Sequence, residues 1–205
     1  MTDSYTPTSA LDEETARAEV YGLLAALYYA PPTPEMVEAL RVAPTEAPAQ
    51  GGFLEEPWRA LVGVARDMPA AEIAAEYDAL FGGVGKPEVY LFGSHYLTGF
   101  LNDRPLARLR DDLASLGLAR DEAMPETEDH IAYLSEVMRY LIAGDEVAVS
   151  NLTKQAAFFT DHLQPWVAAM CDAVAGHPRA RFYAALAEFT RAFASVEQQG
   201  FDMLG

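Results

Sequence analysis

The chain has 205 residues, about half of them hydrophobic, with 14 basic against 31 acidic side chains and a formal charge of −17. That length fits one domain with a sizeable core, and the composition is that of a folded globular protein rather than a disordered one. The charge argues against nucleic acid and anionic membrane surfaces as partners, because phosphate binding needs clustered Lys and Arg, and it favours a basic peptide or protein patch.

The single cysteine, Cys171, excludes an internal disulfide framework and any Cys-rich zinc or iron–sulfur site. Met1 to Glu14 has neither a basic n-region nor an apolar h-region, so no secretory signal is expected. The apolar runs are too short and interrupted to span a bilayer. A cytoplasmic protein without stable membrane insertion is the expectation.

Residues 1–10 are polar and read as a flexible N-terminus. From Leu11 a helical pattern runs through Val20, Leu23, Leu24 and Leu27 to the Pro31-Pro32 stop. Thr33-Pro34-Glu35 has the form of an N-cap followed by proline at the first helical position, opening a short helix to Arg41. Residues 42–57, with three prolines and a Gly-Gly pair, read as a loop. Helical patterns follow at about 55–67 and 69–81, before the break Gly82-Gly83-Val84-Gly85-Lys86-Pro87.

Glu88 to Leu97 has some strand character but no second strand to pair with, so a turn leading into a helix is the reading. Asn102 to Leu116 reads as a helix ended by Gly117 in a left-handed cap. The stretch Met124-Pro125-Glu126-Thr127-Glu128-Asp129-His130 opens another helix, with Ile131, Leu134, Val137, Met138 and Leu141 on one face and a stop at Gly144. Thr127 or Asp129 is its expected cap, and acidic residues suit the dipole there. Asp145 to Leu163, Trp166 to Ala175 and Arg179 to about Gln198 complete the pattern. The fold class is therefore all-α, a single globular multi-helix domain over 1–205 with eight to ten helices.

Several chemical readings fail on these residues. A phosphate-binding loop at Gly82–Lys86 lacks the distal glycine and the Ser or Thr after the lysine. The pairs Asp129-His130 and Asp161-His162 suggest a metal-dependent hydrolase. Metal phosphohydrolases of the all-helical type use the order His-Asp with further histidines, and this chain has four histidines and the reverse order. Glu-x-x-His pairs on two helices, the di-iron signature, are absent. Ser94 and Cys171 have no recognisable elbow or base nearby in sequence. Binding remains. Tyr77, Phe81, Tyr90, Phe92 and Tyr96 fall within twenty residues around the glycine-rich loop. With the acidic helix start they could form an apolar groove with an anionic rim, suited to a peptide carrying arginines and an apolar segment.

Five segments resemble, in order, those of the TorD/DmsD-type chaperones, the redox-enzyme maturation proteins of molybdopterin oxidoreductases. They are Tyr21–Pro31, Glu76-Tyr77-Asp78-Ala79-Leu80-Phe81, Phe92-Gly93-Ser94-His95-Tyr96-Leu97, Glu126-Thr127-Glu128-Asp129-His130, and Phe159–Trp166 with its Phe-x-x-His-Leu-x-x-Trp spacing. Gly93 stands where a glutamate is usual in that family, and Thr127 where a proline is usual. The resemblance implies an all-helical fold without enzymatic activity or a cofactor of its own. It implies binding of a twin-arginine signal peptide and of the apoprotein of a molybdoenzyme catalytic subunit, with export held back until the cofactor is inserted. The implied peptide site is Tyr77, Leu80, Phe81, Phe92, Ser94, Tyr96, Glu126, Glu128, Asp129 and His130, with His130 orienting the anionic wall; His162 and Trp166 are secondary candidates. A monomer is the expected state, although domain-swapped dimers occur in that family. The rivals are the hydrolase above and a plain helical adaptor.

Overall fold

The computed structural model describes residues 7–45, 52–82, 86–121, 124–144 and 148–203. Among them the chain forms ten α-helices and one 3-10 turn: α1 (Pro7–Tyr29), α2 (Pro34–Val42), the turn Gly52–Leu54, α3 (Glu55–Asp67), α4 (Ala70–Leu80), α5 (Gly93–Thr98), α6 (Arg104–Ser115), α7 (Ile131–Ala143), α8 (Leu152–His162), α9 (Val167–Ala175) and α10 (Phe182–Asp202). The all-α reading and its helix count hold.

α1 lies along α7, and α10 lies against α3 and α9, so helices from both ends of the chain enclose the core. Leu24, Leu27, Tyr28, Leu134, Met138, Tyr183 and Leu186 are among its buried side chains. Each fully buried Leu or Phe contributes about 1.5–3 kcal/mol by leaving water. A polar network crosses this core. Arg17 donates to both oxygens of Glu197, at 2.7 and 2.8 Å, and to Gln155 Oε1 at 3.1 Å, while the Tyr21 hydroxyl donates to Glu197 at 3.0 Å.

Local signals are followed closely in places. Thr33 accepts the Met36 amide at 3.3 Å and caps α2, with proline at the first helical position. Gly117 has φ 73°, and the amides of Gly117 and Leu118 close back on Ala114 and Leu113, the paired bonds that end a helix through a left-handed residue.

Elsewhere the boundaries move. Pro7 to Ala10, read as flexible, already belong to α1, while residues 1–6 lie outside the described residues. The 42–57 loop is invaded from both sides, by Val42 of α2 and by the turn and α3 start at 52–57; residues 46–51 lie outside the description. The helix placed at Asp145 begins at Leu152, where Asn151 accepts the Lys154 amide at 3.0 Å. Residues 145–147, like Gly83–Gly85, lie outside the described residues.

Candidate functional site

The loop 126–130 is held by the segment 91–94, and together they set the geometry. Leu91 O accepts the Ile131 amide at 2.9 Å, and Asp129 O accepts the Gly93 amide at 2.9 Å. Phe92 and His130 thereby form an isolated antiparallel bridge. The strand-like character of 88–97 has its partner here, in a single bridge rather than a strand.

The cap of α7 is neither Thr127 nor Asp129. It is His130, whose Nδ1 accepts the Ala132 amide at 3.2 Å. Asp129 turns the other way. Its Oδ2 accepts the Ser94 amide at 2.8 Å in the first turn of α5, and its Oδ1 accepts the Thr127 hydroxyl at 2.6 Å. The acidic residue expected to cap its own helix supports a neighbour's instead. Asp129 is 4 % exposed, and hydrogen bonds to a buried charge of this kind contribute about 1.5–3 kcal/mol.

The other two carboxylates differ. Glu128 accepts Nε and Nη2 of Arg110 on α6, each at 2.9 Å, a bidentate fork. Partial burial alone would raise the Glu128 carboxyl, but the Arg110 hydrogen bond and its own backbone outweigh that and hold it below its usual range. Glu126 has no side-chain hydrogen bond or ion pair among the described residues. It stands close to Tyr77 and Tyr133. Burial, and then the Glu126 carboxylate, push the Tyr77 phenol up to about 12. The Tyr133 phenol is likewise pushed up to about 12, by burial and then by Tyr29. The Tyr133 hydroxyl lies buried between Tyr29 and the backbone of Glu126, both close enough to act on its proton, though neither meets it in good hydrogen-bond geometry among the described residues. Tyr29 itself stacks at a tilt on Tyr133, ring centres 5.9 Å apart, and is exposed. Tyr77 donates to Tyr29 O at 2.8 Å.

The aromatic residues divide. Tyr77 and Phe81 pack edge-on against each other and against Tyr183 of α10, with ring centres 5.0–5.7 Å apart. Leu80 is fully buried. Phe92 meets the His130 ring at 4.9 Å. Tyr96 stacks on Trp166 at 5.8 Å and donates to Tyr90 O at 2.8 Å. The rings of Tyr77, Phe81, Tyr90, Phe92 and Tyr96 are all half-buried, each packed on one side against the core or a neighbouring ring, and of these apolar residues Leu80 alone is fully enclosed. The exposed apolar side chains nearby are Tyr29, Leu97 in the last turn of α5, and Phe100 and Leu101 after it. An open cleft of 510 Å³ runs from that corner to the acidic loop, lined by Asn102, Asp103, Arg104, Leu106, Ala107, Arg110 and Thr127.

Gly93 has a steric cause. A Cβ there would lie 2.9 Å from Trp166 Nε1 and 3.0 Å from Cε2, and the indole is fixed by its donation to His162 O at 2.6 Å. A glutamate cannot stand at 93 while the indole stays. Ser94 is fully buried, and its hydroxyl has no partner among the described residues.

The two Asp-His pairs are each divided between separate tasks. Asp129 and His130 hold α5 and α7 respectively. His162 Nε2 bonds Asp112 at 2.9 Å while Asp161 pairs with Arg108 at 3.1 Å. Burial drives the His130 ring down to about 4, so it is neutral at neutral pH.

Sequence reading missed Glu76, Arg110, Tyr29 and Tyr133. Glu76 accepts the amides of Arg181, Phe182 and Tyr183 at 2.8–3.2 Å and caps α10 from α4. No sequence signal joins residues 105 positions apart. Tyr133 was detectable as a bulky phenol one turn inside the acidic helix start.

Residues 51–172 match the family model described as nitrate reductase delta subunit, a span containing both the 91–96 segment and the acidic loop. The chain is also similar to the chaperone protein TorD of Vibrio cholerae serotype O1, 26 % identical over 140 residues, 65 % of this chain and 64 % of that protein. Similarity to the chaperone protein TorD of Vibrio parahaemolyticus serotype O3:K6 is 25 % over 140 residues, 64 % of this chain and 65 % of the relative. Each match thus spans a little under two-thirds of the relative's length. The chain belongs to the nitrate reductase delta subunit family, the family of TorD-type chaperones.

Proposed function

We propose that this protein is a cytoplasmic, non-enzymatic chaperone of a molybdopterin oxidoreductase catalytic subunit. In this reading it binds the twin-arginine signal peptide and the apo form of that subunit, assists cofactor insertion and holds back export. The observation that carries the reading is Glu126. It is the one carboxylate of the acidic loop left without a partner among the described residues, and it sits beside the phenols of Tyr77 and Tyr133, next to Tyr29. A guanidinium suits that setting. It can lay its fork on the carboxylate, donate to a phenol oxygen and stack a planar face on an aromatic ring. The apolar part of the leader then lies over the exposed rings and leucines at the rim, and the net charge of −17 draws a basic segment in.

Asp129 and His130 enter this picture as positioning residues. Both are buried, and both fix the path of the loop that presents Glu126. The hydrolase alternative is weaker because the Asp-His pairs face separate structural partners.

Titration calorimetry with a synthetic twin-arginine leader peptide tests the reading at low and moderate salt. Micromolar binding is expected, weakened at least tenfold by Glu126→Gln and by replacing both arginines with lysines, since a lysine point charge cannot reproduce the fork. Absence of binding by the wild type at both salt concentrations would sink it.

A further inference from the structure

Arg110 does to Glu128 what a client's arginine would have to do. Its guanidinium meets both carboxylate oxygens in a parallel fork, at 2.9 and 2.9 Å. The two glutamates are two positions apart on the same irregular loop, one carboxylate open and the other filled by a guanidinium from α6. Arg110 is half exposed, at 49 %, whereas Glu128 is only 11 % exposed. The carboxylate is thus fixed in the loop and the guanidinium is the movable partner. Arg110 also lines the open cleft, together with Thr127 of the loop and Arg104 at the far end of its own first turns. The cleft gives the Arg110 side chain somewhere to swing.

We infer that Glu128 is a second arginine subsite, masked in the free protein by the chain's own Arg110, and that an incoming arginine takes it by displacing Arg110 into the cleft. This rests on the reading of Glu126 as the first such subsite. The pair is suited to exchange. A half-exposed ion pair contributes little net stability, since solvent and side-chain entropy offset most of the attraction, and the group that replaces it restores the same fork. Adjacent arginines on an extended peptide project to opposite sides with about 3.3 Å of rise per residue, so two carboxylates offset along a loop can each receive one. Masking also sets specificity. A single basic side chain reaching Glu126 leaves Arg110 in place, whereas two arginines gain both carboxylates.

The test compares binding of the synthetic twin-arginine peptide to wild type, Arg110→Gln, Glu128→Gln, the double variant, and Arg59→Gln. Arg59 pairs with Glu55 on α3, so its removal also frees a surface carboxylate and takes away one positive charge, away from the acidic loop. If Arg110 masks the subsite, Arg110→Gln tightens binding about two- to fivefold over wild type. Arg59→Gln then gives a smaller gain that vanishes at 0.3 M salt, and Glu128→Gln cancels the gain in the double variant. A peptide with a single arginine shows no such gain. Weaker binding by a folded Arg110→Gln, or a gain no larger than that of Arg59→Gln, overturns the inference while leaving Glu126 untouched. No binding by any variant overturns both. Circular dichroism and melting curves establish that each variant is folded.

Discussion

The α4–α10 seam and the acidic loop are both built around glutamates, and they use them differently. At the seam Glu76 accepts three backbone amides of α10, and the rings of Tyr77, Phe81 and Tyr183 close over the junction. At the loop three carboxylates within four residues have three fates: Asp129 is buried and fully bonded, Glu128 is matched by Arg110, and Glu126 has no side-chain partner among the described residues. The comparison teaches that acidity at a helix start marks neither structure nor site. What separates them is whether the folded chain supplies the charge with a partner. A buried charge must be paired or the fold loses stability; a charge left open in a formed setting is available to something else.

Substitutions can break or sharpen that contrast. The largest effect is expected at the seam, where Glu76→Ala strands three amides at the buried start of α10 and should cost about 3 kcal/mol or more in chemical denaturation. A change much under 1 kcal/mol would mean that the α10 start finds water or another acceptor.

Next comes acidification. His130 is held neutral in the fold, with its pKa lowered by burial to about 4 against 6.5 in the unfolded chain. Between those values the unfolded state binds a proton that the native state refuses, so stability falls as pH falls. From pH 7 to 5 the loss from this group is about 2 kcal/mol. His162, lowered chiefly by burial against the opposing pull of Asp112, adds in the same direction. His130→Asn keeps an acceptor at the α7 cap, and its melting temperature should depend correspondingly less on pH in that window.

Gly93→Ala pushes a methyl group onto the Trp166 indole and should cost about 1–3 kcal/mol, with a change in tryptophan fluorescence as the ring shifts. Smallest of all, Glu126→Gln should leave the denaturation midpoint within about 0.5 kcal/mol of wild type, because no native interaction is lost. The proposed binding loss at Glu126 without a stability loss is the sharp form of the contrast with Glu76.

Much of the fold was legible because its signals are local. Thr33-Pro34, the proline stop at Pro31-Pro32 and Gly117 each fix a helix end through their own backbone chemistry. The site was legible only in outline. The acidic loop and the aromatic segment were found, but the duties within them were not. Whether Asp129 serves α7 or α5 depends on the segment 91–94 being laid alongside the loop, 35 residues away in the chain. Tyr77 and Phe81 read equally well as groove or core until Tyr183 is known to lie against them. Nothing in the sequence around Arg110 joins it to Glu128, 18 positions away. Pairings at such separations leave no mark on hydrophobic period or turn chemistry.

The network of Arg17 and Glu197 has a consequence for how the chain is made. These two side chains are 180 positions apart. At about 5–20 residues per second on a ribosome, Arg17 emerges on the order of 10 s or more before the carboxylate that receives it. Glu76 also waits, for amides that follow it by 105 positions. The last helix is therefore the keystone of synthesis: until α10 is translated, the guanidinium near the start of the chain has Gln155 but not its carboxylate, and Glu76 lacks the amides it accepts, so chains stopped within that helix should not reach the native core.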